Sequence, residues 1–302
     1  MKFMNFSRKN APNIIRLGCV FGETCFDITK AIGDDLLEFP RVVFSIEEVL
    51  QAKDGLAILE DQLRNLKRSS SGIQSFLFQA SDVTLRAPLL HPQKVIGIGM
   101  NYRDHVEELQ VQPPKQPLLF AMYASAIIGP EDSIVIPQMS RQVDFEAELA
   151  AVIGRRARHV SVETAVEYVA GYTAFNDVSA RDLQFSDGQW LRAKSFDTFA
   201  PIGPYLVTRN ELNDGSGLAI ESRLNGKTMQ RSNTRNLIFD VPNLISFISK
   251  VMTLEVGDII ATGTPSGVGF ARNPQVFMKA GDVIEIEVEG IGLLRNQVAD
   301  FD

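Results

Sequence analysis

Soft metal ligands are scarce in this chain of 302 residues: two cysteines, Cys19 and Cys25, and three histidines, His91, His105 and His159. Two thiols do not make a disulfide scaffold, and they cannot hold a four-thiolate iron–sulfur cluster. They also leave little from which to build a structural zinc site. Basic residues are outnumbered, 30 Lys and Arg against 37 Asp and Glu, for a formal net charge of −7. The electrostatic footprint that nucleic acid requires is therefore missing. No uninterrupted apolar run reaches the length of a transmembrane helix, so no membrane partner is expected. The first 22 residues carry Lys2, Arg8, Lys9 and Arg16 and no acid. That faintly resembles a targeting peptide, but an apolar stretch ending in a small-residue cleavage site is lacking. The expectation is an intracellular protein, cytoplasmic by its acidity and thiol count, with the mitochondrial matrix left open.

What is present is an ordinary core-forming composition, 45% hydrophobic and 22% charged, with a mean hydropathy of zero. Chemistry must then run on carboxylates, Lys, Arg and at most a histidine. Lys2 to Phe6 and Asn13 to Phe21 read as two strands of a small N-terminal sheet. Ser45-Ile46-Glu47-Glu48 is a capping box. Leu56, Leu59, Leu63 and Leu66 form one helical stripe, and the polar run from Lys67 to Gly72 reads as a loop. Further on, strands are predicted over Lys94–Gly99, Ser133–Pro137, Gln142–Gly154, Asp258–Ala261 and Val283–Val288. Ser161 caps a predicted helix carrying Val162, Ala165, Val166 and Val169. A second helix begins near Asp240 and turns Leu244, Phe247, Ile248 and Val251 inward. The expected class is α+β and β-rich, with a small N-terminal α/β domain over residues 1–90 and a larger domain over 91–302. Strands are not regularly followed by helices, so the pattern is not doubly wound.

Two glycine-rich stretches fail as nucleotide sites. Gly97-Ile98-Gly99-Met100-Asn101-Tyr102 has Tyr102 where a dinucleotide fingerprint needs its third glycine. Thr262 to Gly269 lacks the Gly-Lys-Ser/Thr ending of a phosphate loop; a tight substrate-binding turn is one reading of its glycines. Asp144, Glu146 and Glu148 alternate along a predicted strand and so share a face. The bland reading is a solvated edge. Against it, residues beyond Glu148 are apolar on both faces, which implies burial, and buried carboxylates repel one another unless neutralised. A hard divalent cation such as Mg²⁺ or Mn²⁺ would do so.

Asp177, near the end of an apolar run, is a third candidate ligand. Arg181 and Gln184 follow four and seven residues later on one face of the next turn, and an Arg there could grip a substrate carboxylate or simply pair with Asp182. His105 and Glu108 sit three apart on a predicted short helix, where the carboxylate can orient the imidazole. A lone surface histidine beside acids is the commoner origin of such a pair.

At these residues the sequence resembles the fumarylacetoacetate hydrolase family, in its stand-alone domain branch. Four blocks carry the resemblance: Lys94 to His105, Asp144 to Gly154, Asn176 to Gln184 with Lys194 to Thr198, and Thr262 to Gly269. It implies a mixed β-roll or sandwich core and a homodimer. It also implies Mg²⁺ or Mn²⁺ held by Glu146, Glu148 and Asp177, with Asp144 supporting them. His105 and Glu108 would lie on a lid, with catalytic roles for His105, Glu108 and Lys194. Lys194, Arg181, Gln184 and Thr264 match positions that hold a substrate's oxyanion and carboxylate. One departure is Met122, which stands where relatives commonly have lysine. The implied substrate is a small anionic 2-oxo acid. The expected reaction is C–C bond hydrolysis of an acylpyruvate-type 2,4-dioxo acid through an enolate. The alternative is oxaloacetate decarboxylation or keto–enol tautomerisation on the same site. A non-catalytic keto-acid binder is disfavoured because the motif residues are all present.

Overall fold

The computed structural model describes residues 1–69 and 72–301. Its larger sheet holds twelve strands. In spatial order its main path runs Leu77–Phe78, Thr24–Asp27, Ala11–Phe21, Lys2–Arg8, Ala200–Thr208, Val169–Asn176, Ala147–Ile153, Ile259–Ala261, Val95–Gly99 and Leu118–Met122. Pairing along this path is antiparallel except between Ile259–Ala261 and Val95–Gly99. A second sheet of five strands orders Lys227–Asn233, Ala219–Leu224, Val283–Val288, Gly292–Asp300 and Ser133–Ile136. The molecule is α+β and strand-rich, as the sequence pattern predicts.

The large sheet is covered on both faces. Leu149, Ala151, Ile153, Tyr172 and Ala174 pack toward Ile284, Ile286, Val288 and Leu294 of the smaller sheet. Ala150, Val152, Phe175 and Ile202 share a second core with Ile46, Val49, Leu59 and Leu63 from N-terminal helices. Double coverage explains why Ala147–Ile153 is buried throughout and carries no polar face beyond Glu148. Lys2–Arg8 pairs with Ala200–Thr208, so the sheet runs across the expected boundary between residues 90 and 91.

Several local expectations change. The predicted strand Gln142–Gly154 breaks at Phe145 and Glu146 into Val143–Asp144 and Ala147–Ile153. The helix Gly55–Ser69 continues through the polar Lys67, where a loop is predicted, because a polar run on an exposed face does not stop a helix; residues 70 and 71 lie outside the described ones. After Ser161 only Val162–Ala165 is α-helical, and Val169 opens a strand instead, since pairing with Ala147–Ile153 overrides the helical spacing. In the helix Val241–Val251, Ile245 is buried and the terminal Val251 is 63% exposed. Only the serine half of the capping box forms: Ser45 accepts from the Glu48 amide at 3.4 Å, whereas Glu48 leans toward Arg41.

Candidate active site

Antiparallel pairing brings the acids together. Ala147 lies opposite Asn176, so Glu146 and Glu148 at the start of one strand meet Asp177 just past the end of its neighbour. One carboxylate oxygen from each of Glu146, Glu148 and Asp177 lies within 4.8 Å of the others, and all three residues are buried. Two bases close the cluster. The Lys194 ammonium donates to Glu146 Oε2 at 3.0 Å and to Asp177 Oδ2 at 2.7 Å. The Arg181 guanidinium donates to Asp144 Oδ2 at 2.9 Å, to Glu146 Oε1 at 2.6 Å and to Gln184 Oε1 at 2.8 Å. Arg181 thus braces the acids instead of pairing with Asp182, which accepts from Ser140 and the Arg141 amide.

Charge in this cluster is unbalanced, with four carboxylates facing two cations. Burial raises Glu146, but the fields of Lys194, Arg181 and His105 outweigh it and hold the carboxyl at about 2. Glu148 touches neither base. Burial, then repulsion from Asp177 and Glu146, push it well above the ordinary range against a single Gly263 amide at 2.9 Å. Asp177 is pushed up to about 7 by burial and Glu146, despite Lys194. Burial would lower Lys194, yet Asp177 and Glu146 keep it above its usual value, so it stays an ammonium.

The buried Asp177 Oδ1 has no hydrogen-bond partner. An orphaned carboxylate oxygen, two acids pushed up by burial and by repulsion from neighbouring carboxylates, and an all-oxygen donor set together fit a divalent cation at Glu146, Glu148 and Asp177.

His105 sits on the short helix Arg103–Glu108 with Nδ1 3.2 Å from Glu108 Oε2. Glu108 Oε1 in turn accepts from the Gly267 amide at 2.9 Å. That bond is one of a set. Within the glycine-rich stretch, Gly263 donates to Glu148, Gly267 to Glu108, and Gly269 and Phe270 to Asp144. Gly263 and Gly267 have φ of +105° and +100°, a conformation that disfavours a side chain. A Cβ at Gly269 would collide with the Val276 carbonyl and with Asp144 itself. The substrate-turn reading of this stretch thus misses its main contacts, which are to acids.

His105, Glu146, Glu148, Arg181, Gln184, Lys194 and Thr264 line one cleft of about 240 Å³. Asp177 lies beneath it and Glu108 behind His105. The Thr264 hydroxyl donates to the Ala147 carbonyl at 3.0 Å and accepts from Gln230 Nε2 at 2.7 Å. Gln230 also accepts from the Ala147 amide at 3.0 Å, fastening the acid-bearing strand to the glycine-rich stretch. Sequence reasoning gives no sign of Gln230, because Ala147, Thr264 and Pro265, three of its partners, lie more than 30 residues away along the chain. Met122 is buried in the second core and does not line the cleft.

Residues 94–299 match the family model of the fumarylacetoacetate hydrolase C-terminal domain. An oxaloacetate tautomerase of Rattus norvegicus, named as mitochondrial, is 45% identical over 235 residues, covering 78% of this chain and 75% of the rat protein. A solved fumarylacetoacetate hydrolase from Exiguobacterium antarcticum superposes with a TM-score of 0.82 at 34% identity over 100% of both chains. A maleylpyruvate hydrolase from a Sphingobium species does so with a TM-score of 0.78 at 31% identity, again over 100% of both. Fold, carboxylate cluster and these likenesses agree, and the chain belongs to the fumarylacetoacetate hydrolase family.

Proposed function

We propose that this protein is a divalent-cation-dependent enzyme that interconverts the keto and enol forms of a small 2-oxo acid, with oxaloacetate the first to test. The observation that carries the reading is the placement of an oriented imidazole, His105, and a charged ammonium, Lys194, around one buried carboxylate cluster in a single cleft. The likeness to an oxaloacetate tautomerase supports it. Mg²⁺ or Mn²⁺ held by Glu146, Glu148 and Asp177 would supply Lewis acidity toward substrate oxygens.

The chain's own groups do the rest. With Nδ1 engaged by Glu108, His105 keeps Nε2 for the proton at the carbon next to the keto group. Glu108, itself fixed by Gly267, sets the ring's orientation and tautomer. Lys194 stays charged and stabilises the developing enolate oxygen as a buried point charge, and that oxygen exchanges its proton with solvent. Gln184 has its carbonyl on Arg181, which leaves its NH₂ for a substrate carboxylate. Arg181 acts through Glu146 and Gln184, which it holds in place.

A second reading, C–C hydrolysis of an acylpyruvate, is favoured by the His105–Glu108 dyad, because an oriented base can also deprotonate water. The likeness to a maleylpyruvate hydrolase supports it. A homodimer, and a cytoplasmic or mitochondrial-matrix location, belong to the same proposal. The test follows enol decay and CO₂ release from oxaloacetate, and pyruvate release from an acylpyruvate, side by side with Mg²⁺. Accelerated enol decay is expected, with a loss of about 10²–10⁴-fold in His105→Ala. Pyruvate release without accelerated enol decay would install the hydrolase reading, and loss of CO₂ alone a decarboxylase.

A further inference from the structure

The cleft has a charged floor and uncharged walls. Its charged lining residues are His105, Glu146, Glu148, Arg181 and Lys194. Both strong cations face inward onto acids, and each rests on an aromatic ring. Arg181 lies 4.4 Å from the centroid of Phe270, and Lys194 5.0 Å from that of Phe120. Each of these rings meets a second one further along the wall. Phe270 packs edge-on against Phe185, and Phe120 edge-on against Trp190, both at 5.4 Å between centroids. Leu109 and Val111 complete the lining from the segment after the His105 helix. Phe185 is 62% exposed, an aromatic ring left in water at the edge of a polar site.

We infer that this outer chamber is a subsite for an apolar substituent, so that among 2-oxo acids longer than four carbons the site takes those whose chain beyond the reacting carbons is hydrocarbon. The inference rests on the 2-oxo acid reading above and specifies the tail. A four-carbon diacid is short enough to keep both carboxylates at the charged floor. A longer diacid would place its distal carboxylate among Phe185, Trp190 and Val111, where the described lining residues of the outer chamber include no cation, and desolvation would oppose binding. A hydrocarbon tail there removes its own surface and that of Phe185 from water.

The chain's single tryptophan, Trp190, stands in this wall and reports occupancy without any turnover. The full-length protein with Mg²⁺ is titrated with pyruvate, 2-oxobutanoate, 2-oxohexanoate and 2-oxooctanoate, following Trp190 emission and, in parallel, calorimetric heat. Affinity is expected to rise about fourfold per added methylene while the tail lies in the chamber. The diacid 2-oxoadipate should bind on the order of tenfold or more weakly than 2-oxohexanoate of the same length. Phe185→Ser, a change at an exposed side chain, should flatten the gain per methylene. A flat series with measurable pyruvate binding overturns the apolar subsite and leaves the 2-oxo acid reading intact. Tighter binding of 2-oxoadipate than of 2-oxohexanoate overturns it as well. Binding of none of the acids overturns the head-group reading and the subsite with it.

Discussion

Asp144, Glu146 and Glu148 alternate along the chain just as Glu285, Glu287 and Glu289 do, and the two triplets end in opposite surroundings. Around the second, the intervening Ile284, Ile286 and Val288 fill the core while the glutamates face outward. Arg223 there bridges Glu285 at 3.1 Å and Glu287 at 2.8 Å, with the Glu287 side chain 51% exposed. Around the first, the intervening Phe145 and Ala147 are buried, and so are the acids. Alternation thus states only that acids share a face. Whether that face is wet depends on the neighbouring strand residues: beyond Glu148 the chain stays apolar on both sides, whereas Val283–Val288 alternates to its end.

Water sets the energetic contrast. Glu221, in the exposed network, sits below its ordinary value, since slight burial is outweighed by Thr228, Arg231 and Arg223. Glu148 and Asp177 are displaced upward. Glu221 on the one side, and Glu148 and Asp177 on the other, therefore respond to pH with opposite sign, while Glu146, depressed by Lys194 and Arg181, behaves like Glu221. A depressed acid such as Glu221 adds stability above its unfolded value, and that is lost as pH falls through the folded one. The raised acids disfavour the cation-free fold as pH rises through about 7, the value at which Asp177 ionises.

Removing one cation from each region should give the widest separation. Lys194→Met leaves Asp177 buried without its base and Glu146 with Arg181 alone, and should cost about 3–5 kcal/mol in urea unfolding of the cation-free protein. Arg223→Met should cost under about 1 kcal/mol by the same measurement. Equal costs would mean that the two networks differ only in name. Next come the glutamates themselves. Glu148→Gln should weaken Mn²⁺ binding by at least about 100-fold in calorimetry while raising the thermal midpoint of the cation-free protein, because it relieves repulsion. Glu287→Gln should leave Mn²⁺ affinity where it was, and unchanged affinity in Glu148→Gln would remove that residue from the cation site. The smallest effect is the titration: Mn²⁺ affinity should fall by up to about tenfold per pH unit as pH drops through about 7, with protons released on binding. A pH-independent affinity would contradict the upward displacement of Asp177 and Glu148.

Much of the site was legible in the chain because its signals are local. Apolar residues on both faces after Glu148 announce burial, three-residue spacing pairs His105 with Glu108, and Asp177 comes directly after a strand-like run. The supports were not legible, for the opposite reason. Gln230 acts through contacts to Ser222, Thr264, Pro265 and Ala147, which the chain brings together only on folding. The amides of Gly263, Gly267, Gly269 and Phe270 are backbone groups, identical in every residue but proline, so no side-chain pattern marks what they hold. Spacing misleads where pairing overrides it, as at Val169, which opens a strand, and at the helix's last residue Val251, which faces outward.

Those amides have a consequence for how the site can vary. Within eight residues the segment from Gly263 to Phe270 fixes Glu148, Glu108 and Asp144 in turn. Inserting or deleting one residue inside it would slide successive donors off their acceptors together, so a change of length there removes function in one step. Diversification is correspondingly freer on the outer rings Phe185 and Trp190, which stand one ring removed from the bases that hold the carboxylates.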